Sequence, residues 1–431
     1  MQINIQNPYK DVQWGQWGAY LAQLHCHSNA GDGNERYADV IEEHYKAGYD
    51  VLAMAEHGVV CRGWVGRPNH LPVMNWLQQK ANKGEGKAPQ GLTRQRFDEI
   101  TTGADRDGRG MTRVPYAVEQ NMTSLNKAHV VSWFADWGNA FLGGTGDYNL
   151  AVGGVHRAGG VSAIAHYADT CQYRKPPLEM AFADKKGEYY IWKIQRLFEK
   201  YDSLVAMEIP EAADRKLWDI LLNHVGPSGR NIYAIQTSDL HKFDRMMRGY
   251  TWMLMPENKP EHLRPCLESG AYLAGGCFIE KKEEIDRWKR VLPDCHFEME
   301  HAWWADRSAP KPMVKNIAVK GNTITLEHEH ALGVQWISGG EQVGIGNSID
   351  LQALHATGKL GCYVRAELLG EGGLLCTQAF LLDYDGMPAP TLTPRRFFDW
   401  GYIPAVLRIL FFWPVGKLND WRHRVIHKKT M

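Results

Sequence analysis

The 431-residue sequence has no net charge, because 49 Lys and Arg residues balance 49 Asp and Glu residues. A domain-wide basic surface for nucleic acid is therefore not expected, and an anionic ligand would have to be bound locally. The sequence also lacks an apolar run of about 18 residues, the length that a membrane-spanning helix needs. Residues 1–10 have neither the basic start nor the apolar core of a signal peptide. We therefore expect a cytoplasmic protein that binds no nucleic acid.

The sequence contains no CxxC pair, and its eight cysteines are scattered singly. A chain of this length can bury a sizeable core without disulfide bonds, so reduced thiols are expected. Apolar residues make up 44% and charged residues 23% of the chain, which is the composition of an ordinary folded protein. The length suits one large domain or two domains of ordinary size.

Short apolar runs alternate with helical stretches from about residue 20 to 280, for example at 49–55, 161–165, 204–209 and 231–235. This alternation predicts βα units around a mostly parallel sheet, in barrel-like or doubly wound order. From about 291 to 395 the pattern changes to period-two alternation with Gly-rich turns, including hairpins at 316–326 and 363–382. The sequence thus predicts an α/β domain over 1–290 and a small antiparallel β domain, similar to a β-sandwich, over 291–395.

The last segment, 396–431, combines dense apolar residues with a basic end. Its apolar side chains must be buried, and we expect them to pack on the rest of the chain or on a second subunit, as in a homo-oligomer. The alternative is contact with a membrane surface, because aromatic side chains and a basic flank suit the headgroup region.

Eighteen histidines are present, and several lie with carboxylates at the ends of the apolar runs. His25 and His27 are two residues apart on a predicted strand, so both side chains point to one face, as a shared metal ion requires. The ligand-type residues that follow at later strand ends are Asp32, Glu56, His57, Glu119, His129, His166, Asp239 and His241. Mixed imidazole and carboxylate ligands favour Mn, Zn or Fe over Ca or Mg. By contrast, His328 and His330 have no such neighbours and are expected on a solvated strand face.

These motifs resemble those of the PHP superfamily, named for polymerase and histidinol phosphatase domains, over about residues 20–280. The resemblance implies a distorted (β/α)7 TIM-like barrel with two or three metal ions at the carboxyl ends of its strands. It implies one ion on His25, His27 and Asp239, with Glu119 as the bridge to a second ion. The second ion would be held by His129 and His166, and a third by a group consisting of Asp32, His57 and His241.

Two positions depart from the family pattern. Family members often have His at or next to the position of Asp32, and they usually have Asp where this chain has Glu56. The predicted catalytic carboxylates are Glu56, Glu119 and Asp239. The β region is also similar to the C-terminal domain of hydrolases related to carbaryl hydrolase, at residues 363–367.

Such a site predicts a metal-dependent hydrolase of a small-molecule substrate, with a metal-bridging hydroxide as the nucleophile. A phosphoester is favoured, because two nearby ions can span a phosphoryl group. Arg62, Lys127 and Lys242 are candidate contacts for the substrate anion. The alternative is hydrolysis of a carbamate, amide or ester, and a third possibility is a non-catalytic metal-binding regulator. The segments 63–112 and 167–201 are expected to cover the pocket.

Overall fold

The computed structural model describes residues 2–58, 60–66, 89–120, 129–138, 148–167, 185–279, 282–294, 303–390 and 418, with the backbone alone described over 185–190. Lys127 and nearly all of the predicted tail, 396–431, lie outside these residues. In the described part of the chain, no helix combines the length and the apolar character that crossing a bilayer requires.

The first part of the chain alternates strands and helices. Its strands are β1 (Asn4–Gln6), β2 (Gly18–Cys26), β3 (Val51–Met54), β4 (Thr112–Arg113), β5 (Val118–Gln120), β6 (Val130–Trp133), β7 (Val161–Ile164), β8 (Leu204–Glu208), β9 (Tyr233–Ile235), β10 (Gly249–Met255), β11 (Tyr272–Gly276) and β12 (Phe278–Ile279). Its helices are α1 (Tyr37–Lys46), α2 (Arg94–Thr102), α3 (Tyr148–Arg157), α4 (Lys185–Lys200), α5 (Ala212–Val225), α6 (Pro260–Ser269) and α7 (Lys282–Val291).

The second part is mainly antiparallel. It contains β13 (Trp303–Trp304), β14 (Met313–Lys320), β15 (Thr323–Glu329), β16 (Gly333–Ser338), β17 (Glu341–Ile345), β18 (Ser348–Asp350), α8 (Leu351–Ala356), β19 (Tyr363–Gly370), β20 (Gly373–Cys376) and β21 (Phe380–Asp383). Both predicted hairpins are confirmed: β14 pairs with β15 across a turn at Gly321, and β19 pairs with β20 across a turn at Gly372.

Local sequence explains where these elements begin and end. Strands β3, β6, β7 and β8 are buried along their whole length, as their continuous apolar sequences predict. Helix α2 begins after Thr93, whose side chain accepts a hydrogen bond from the backbone N–H of Arg96, and ends at Gly103 with φ of 70°. Helix α5 buries Leu217, Leu221 and their neighbours, one helical turn apart, against the core.

Two large sheets carry the fold. Strands β5–β9 form one sheet in chain order, and an 11-stranded sheet runs along β1-β21-β19-β20-β11-β10-β2-β3-β4, with β16 paired to β19 and β17 paired to β16. Isolated parallel bridges join the two sheets at Cys26 with Leu240 and at His57 with Glu119. The protein is therefore mixed α/β, as predicted, but its described strands form several sheets and do not close into one barrel.

The pairing departs from the mostly parallel sheet that the sequence predicts. β10 runs antiparallel to both β2 and β11, and β6 runs antiparallel to β5 and β7. Connection length does not set the first reversal, because β9 and β10 lie in different sheets and helix α6 separates β10 from β11. The predicted boundary at residue 290 is crossed by the large sheet, since Ala274 of β11 pairs with Cys376 of β20. The division into domains stays a prediction.

Candidate metal centre

The histidines at the end of β2 begin the candidate site. His25 is in β2, His27 follows it, and both are fully buried. Their Nε2 atoms lie 2.9 Å apart, so the two rings converge on one point. This is the arrangement that the i, i+2 spacing predicts for one face of a strand.

Glu119, on the short strand β5, lies at the centre of the site and is fully buried. One of its oxygens, Oε2, lies 3.2 Å from Nε2 of His25, 3.2 Å from Nε2 of His27 and 3.0 Å from Nδ1 of His57. Its other oxygen, Oε1, lies 2.5 Å from Nδ1 of His129 and 3.3 Å from Nε2 of His166. The carboxylate therefore joins two sets of imidazoles, one at each oxygen.

Asp239 completes the side of the site next to β9. Its Oδ1 lies 3.1 Å from Nε2 of His27 and 3.5 Å from Nε2 of His25. The backbone of Asp239 has φ of 43°, and that of His166 has φ of 22°, both in the left-handed region that non-glycine residues rarely occupy. A hydrogen bond from the N–H of His27 to the carbonyl of Leu240, 2.8 Å long, fixes the strained segment against β2.

Asp32 organises a further group nearer to solvent. Its Oδ2 lies 3.3 Å from Nε2 of His57, and its Oδ1 lies 3.4 Å from Nε2 of His241. Nδ1 of His27 is also 3.4 Å from Oδ1 of Asp32. His27 thus faces the central group with one ring nitrogen and the Asp32 group with the other.

All of the predicted metal ligands lie in the described residues, and the structure brings them together. Groups whose donor atoms lie within 4.8 Å of one another are His27, Asp32, His57 and His241; His25, His27 and Glu119; His25, His166 and Glu208; and His57, Glu119 and His129. The first group contains the third predicted ligand set. That these residues bind metal stays a prediction.

Glu208, at the end of β8, is a site residue that the sequence reasoning missed. It is fully buried, and its Oε1 lies 2.8 Å from Nδ1 of His25 and accepts a hydrogen bond from the hydroxyl of Thr237 at 3.0 Å. Its Oε2 accepts a hydrogen bond from the N–H of His166 at 3.1 Å. A signal was present, because Glu208 ends an apolar run just as the predicted ligands do.

Glu56 lies beside the donors rather than among them. Its Oε1 accepts a hydrogen bond of 2.5 Å from the hydroxyl of Ser28, and its Oε2 lies 3.9 Å from Nδ1 of His27. Burial raises the pKa of Glu56 to about 7. Gly31 makes room for this side chain, because a Cβ there would collide with Oε2 of Glu56. A catalytic role for Glu56 stays a prediction.

The predicted anion contacts fall in different places. Arg62 is nearly buried and forms an ion pair of 2.9 Å with Asp136. Lys242 is exposed next to His241, and Lys127 lies outside the described residues. His328, expected on a solvated strand face, lies on β15, where its Nε2 is 3.0 Å from Oδ1 of Asn347.

The buried carboxylates of the cluster are stabilised by positive charge close to them. Burial alone would raise the pKa of Glu119, but the neighbouring rings of His57 and His129 hold it well below its ordinary value. Burial would likewise lower the pKa of His27, yet its contacts with Asp239 and Glu119 raise it to about 9. The carboxylates therefore stay ionised and stabilise any cation placed among them.

The donor set fits divalent transition-metal ions. Oε2 of Glu119 and Oδ1 of Asp239 are buried and accept no hydrogen bond of good geometry, although imidazole nitrogens lie 3.0 and 3.1 Å away. A cation placed between these groups would satisfy both oxygens. Oε1 of Glu208 faces Nδ1 of His25, so Nε2 faces the centre of the site and would bind an ion through its lone pair once it is deprotonated. Nitrogen and oxygen donors converging in this way suit Mn, Zn or Fe.

No known family model matches the chain, and no curated protein matches it. Among solved structures, it is similar to a two-domain protein from Bacteroides vulgatus that contains a predicted PHP-like metal-dependent phosphoesterase. The two are 12% identical, with a TM-score of 0.40, over 88% of this chain and 90% of that chain.

Two further solved structures each match 51% of this chain and 87% of their own, with a TM-score of 0.28. One is a proposed metal-dependent phosphoesterase from Bifidobacterium adolescentis, 13% identical, and the other is an amidohydrolase from Chromobacterium violaceum with bound sulfate and no metal, 15% identical. At these TM-scores, the similarity does not establish shared chemistry.

Proposed function

We propose that the protein is a metal-dependent hydrolase that acts on a small phosphoester, with two or three divalent ions of Mn, Zn or Fe. The observation that carries the proposal is the position of Glu119, whose two oxygens each lie within 3.3 Å of imidazole nitrogens from different strands. A carboxylate shared in this way suits the bridge between two ions. The PHP-type (β/α)7 barrel is part of this proposal.

The residues divide among the proposed ions as follows. His25, His27 and Asp239 would hold one ion, and Glu119 would join it to a second ion on His129 and His166. Asp32, His57 and His241 would hold a third. When bound, clustered divalent ions activate water near neutral pH and neutralise the charge that develops on the oxygens of a phosphoryl group.

The chain's own side chains prepare this site. Glu208 fixes the tautomer and the orientation of His25, which is how a carboxylate behind a metal-binding histidine commonly acts. Glu56 holds the loop after His27 through Ser28. Lys242, exposed beside His241, is the proposed contact for the substrate anion. Arg62 is a weaker candidate, because Asp136 already neutralises its charge.

A phosphoester is the favoured substrate, because ions about 3.5–4 Å apart span a phosphoryl group. The rival is hydrolysis of a carbamate, amide or ester, in which the ions polarise a carbonyl. The pairing of Arg62 with Asp136 favours this rival, since it leaves fewer unpaired cations for an anionic substrate.

The test is an assay of the Mn- or Zn-loaded protein with a phosphodiester, a phosphomonoester and an aryl ester. We expect the phosphoester to be cleaved fastest, and Glu119→Gln to lower kcat by at least about 10²-fold because an amide cannot bridge two cations. Glu371→Gln, at an exposed position, is the matched control. Cleavage of the aryl ester alone would favour the rival, and full activity of Glu119→Gln would exclude the bridge.

A further inference from the structure

An aromatic surface lies at the same end of the large sheet as the candidate metal centre. Ala22 of β2 pairs with Thr251 of β10, which pairs in turn with Ala274 of β11. β2 and β11 run in the same direction, because both are antiparallel to β10. Three residues after this row β2 contains His25, and two residues after it β11 ends at Gly276. The backbones of β11 and of β2, which carries His25, are therefore two strand spacings of about 4.8 Å, or about 10 Å, apart at this end.

Directly after β11 the chain forms the short strand β12. This strand pairs with β13, which comes later in the chain. Phe278 of β12 pairs with Trp304 of β13, and their ring centroids lie 4.2 Å apart with an interplanar angle of 34°. Phe278 is buried, whereas 43% of Trp304 is exposed. Trp304 thus packs on Phe278 and is still partly open to solvent, at the end of the sheet where the chemistry is proposed.

Arg248 supports the two rings from the start of β10. Its guanidinium carbon lies 5.2 Å from the ring centroid of Phe278 and 5.8 Å from that of Trp304. One of its nitrogens lies 3.5 Å from a carboxylate oxygen of Glu211, three residues beyond Glu208. Arg248 also ends the segment that carries Asp239 and His241. The aromatic surface is therefore attached to two of the segments that build the metal centre.

We propose that Trp304, supported by Phe278 and Arg248, is a substrate subsite that stacks on a planar aromatic or heteroaromatic ring. This inference rests on the proposed hydrolase function and narrows its substrate to ring-bearing esters. Trp304 lies beyond the end of β11, on the strand next to β12, so the substrate ring would extend from the phosphoryl group toward that end of the sheet. Stacking of a base on an aromatic side chain changes affinity by roughly 10-fold or more.

The test compares substrates with and without a ring in the Mn-loaded protein: adenosine 5′-monophosphate against ribose 5-phosphate, and 4-phenylbutyl phosphate, whose ring is set away from the phosphate, against butyl phosphate. We expect Trp304→Ala to raise KM about 10-fold for the ring-bearing member of a pair, with little change in kcat and none for the other member. The KM of Trp304→Phe for the ring-bearing substrate should stay close to that of the wild-type protein. Leu332→Ala, at an exposed residue elsewhere, is the control. The substrate pair that shows the larger effect indicates whether the subsite prefers a nucleobase or a simple aryl group.

Calorimetric binding of adenosine 5′-monophosphate and ribose 5-phosphate to the same proteins separates this inference from the hydrolase itself. If the wild-type protein cleaves none of the four esters, the proposed function fails for phosphomonoesters, and a ring preference in binding that Trp304→Ala removes still supports the subsite. If the esters are cleaved and Trp304→Ala changes no ratio between pair members, the subsite is wrong and the hydrolase stands. Equal or absent binding of both ligands also overturns the subsite.

Discussion

Oε1 of Glu208 lies 2.8 Å from Nδ1 of His25, and both side chains are fully buried. The contact decides which nitrogen of His25 faces a metal ion, because a carboxylate at this position accepts a hydrogen bond from Nδ1–H and leaves Nε2 toward the site. The other oxygen of Glu208 accepts a hydrogen bond from the backbone of His166. One carboxylate from β8 therefore orients donors from two other strands.

We predict that Glu208→Gln weakens metal binding by about 10- to 100-fold, because the neutral amide neither supports the charge on His25 nor fixes its tautomer as firmly. Competition with a chromogenic chelator measures the metal Kd, with Glu371→Gln as the exposed control. An unchanged Kd in Glu208→Gln would show that Glu208 has only a structural role.

Divalent ions are predicted to stabilise the fold, since they would neutralise Glu119 and Asp239 at buried oxygens that accept no hydrogen bond of good geometry. At a free metal concentration of about 100 times Kd, the gain is about 2.7 kcal/mol. Thermal unfolding followed by circular dichroism, with and without a chelator, measures it. Glu119→Gln should show a smaller rise in Tm on addition of Mn. A rise as large in Glu119→Gln as in the wild-type protein would place the ions elsewhere.

Much of the candidate site could be predicted from the sequence, because its ligands end apolar strands that converge at one edge of the fold. His57 and Glu119 show why this works, since the two residues form a bridge that joins the sheets. Glu208 was missed because it has no neighbouring histidine in the sequence and contacts His25 and His166, which are distant along the chain. Contacts of this kind depend on tertiary packing.

The fold was predictable where local pattern decides the structure. Both predicted hairpins are confirmed, since Gly-rich turns and period-two alternation specify them. The antiparallel direction of β10 could not be predicted, because its sequence, 249–255, is an apolar run that suits either direction. The pairing of β20 with β11 is likewise a long-range contact, which no local sequence pattern predicts.

The buried ion pair between Asp219 of α5 and Arg365 of β19 is predicted to stabilise the joint between the two parts of the chain. Arg365 donates two hydrogen bonds of 2.8 Å to Asp219 and one of 2.6 Å to Glu367. Removing one partner leaves a buried charge without its counterion, so Arg365→Ala should cost about 3–5 kcal/mol.

Denaturant unfolding measures this loss. The control is Arg264→Ala, which removes an exposed pair with Glu268 and should cost at most about 1 kcal/mol. If both substitutions cost the same, Arg365 is not needed at the joint.

His44, in α1, is predicted to make the protein sensitive to mild acid. Its Nδ1 donates a hydrogen bond of 2.7 Å to the carbonyl of Val40, while Nε2 is buried without a partner. Burial lowers the pKa of His44 from 6.5 to about 4, although the charge of Glu43 opposes this. Because the folded state binds the proton less readily than the unfolded state, the stability is complete above about pH 6.5 and is lost as the pH falls toward 4.

The shift in the pKa of His44 corresponds to about 3 kcal/mol. The measurement is the free energy of unfolding of the wild-type protein and His44→Gln at intervals from pH 7 to pH 4. The histidines of the metal centre also respond to acid, so the informative quantity is the difference between the two proteins. We expect that difference to move by about 3 kcal/mol in favour of His44→Gln as the pH falls, and to stay constant for His355→Gln, at an exposed position on α8. A difference for His44→Gln that is independent of pH would mean that His44 titrates in the folded state as it does in the unfolded chain.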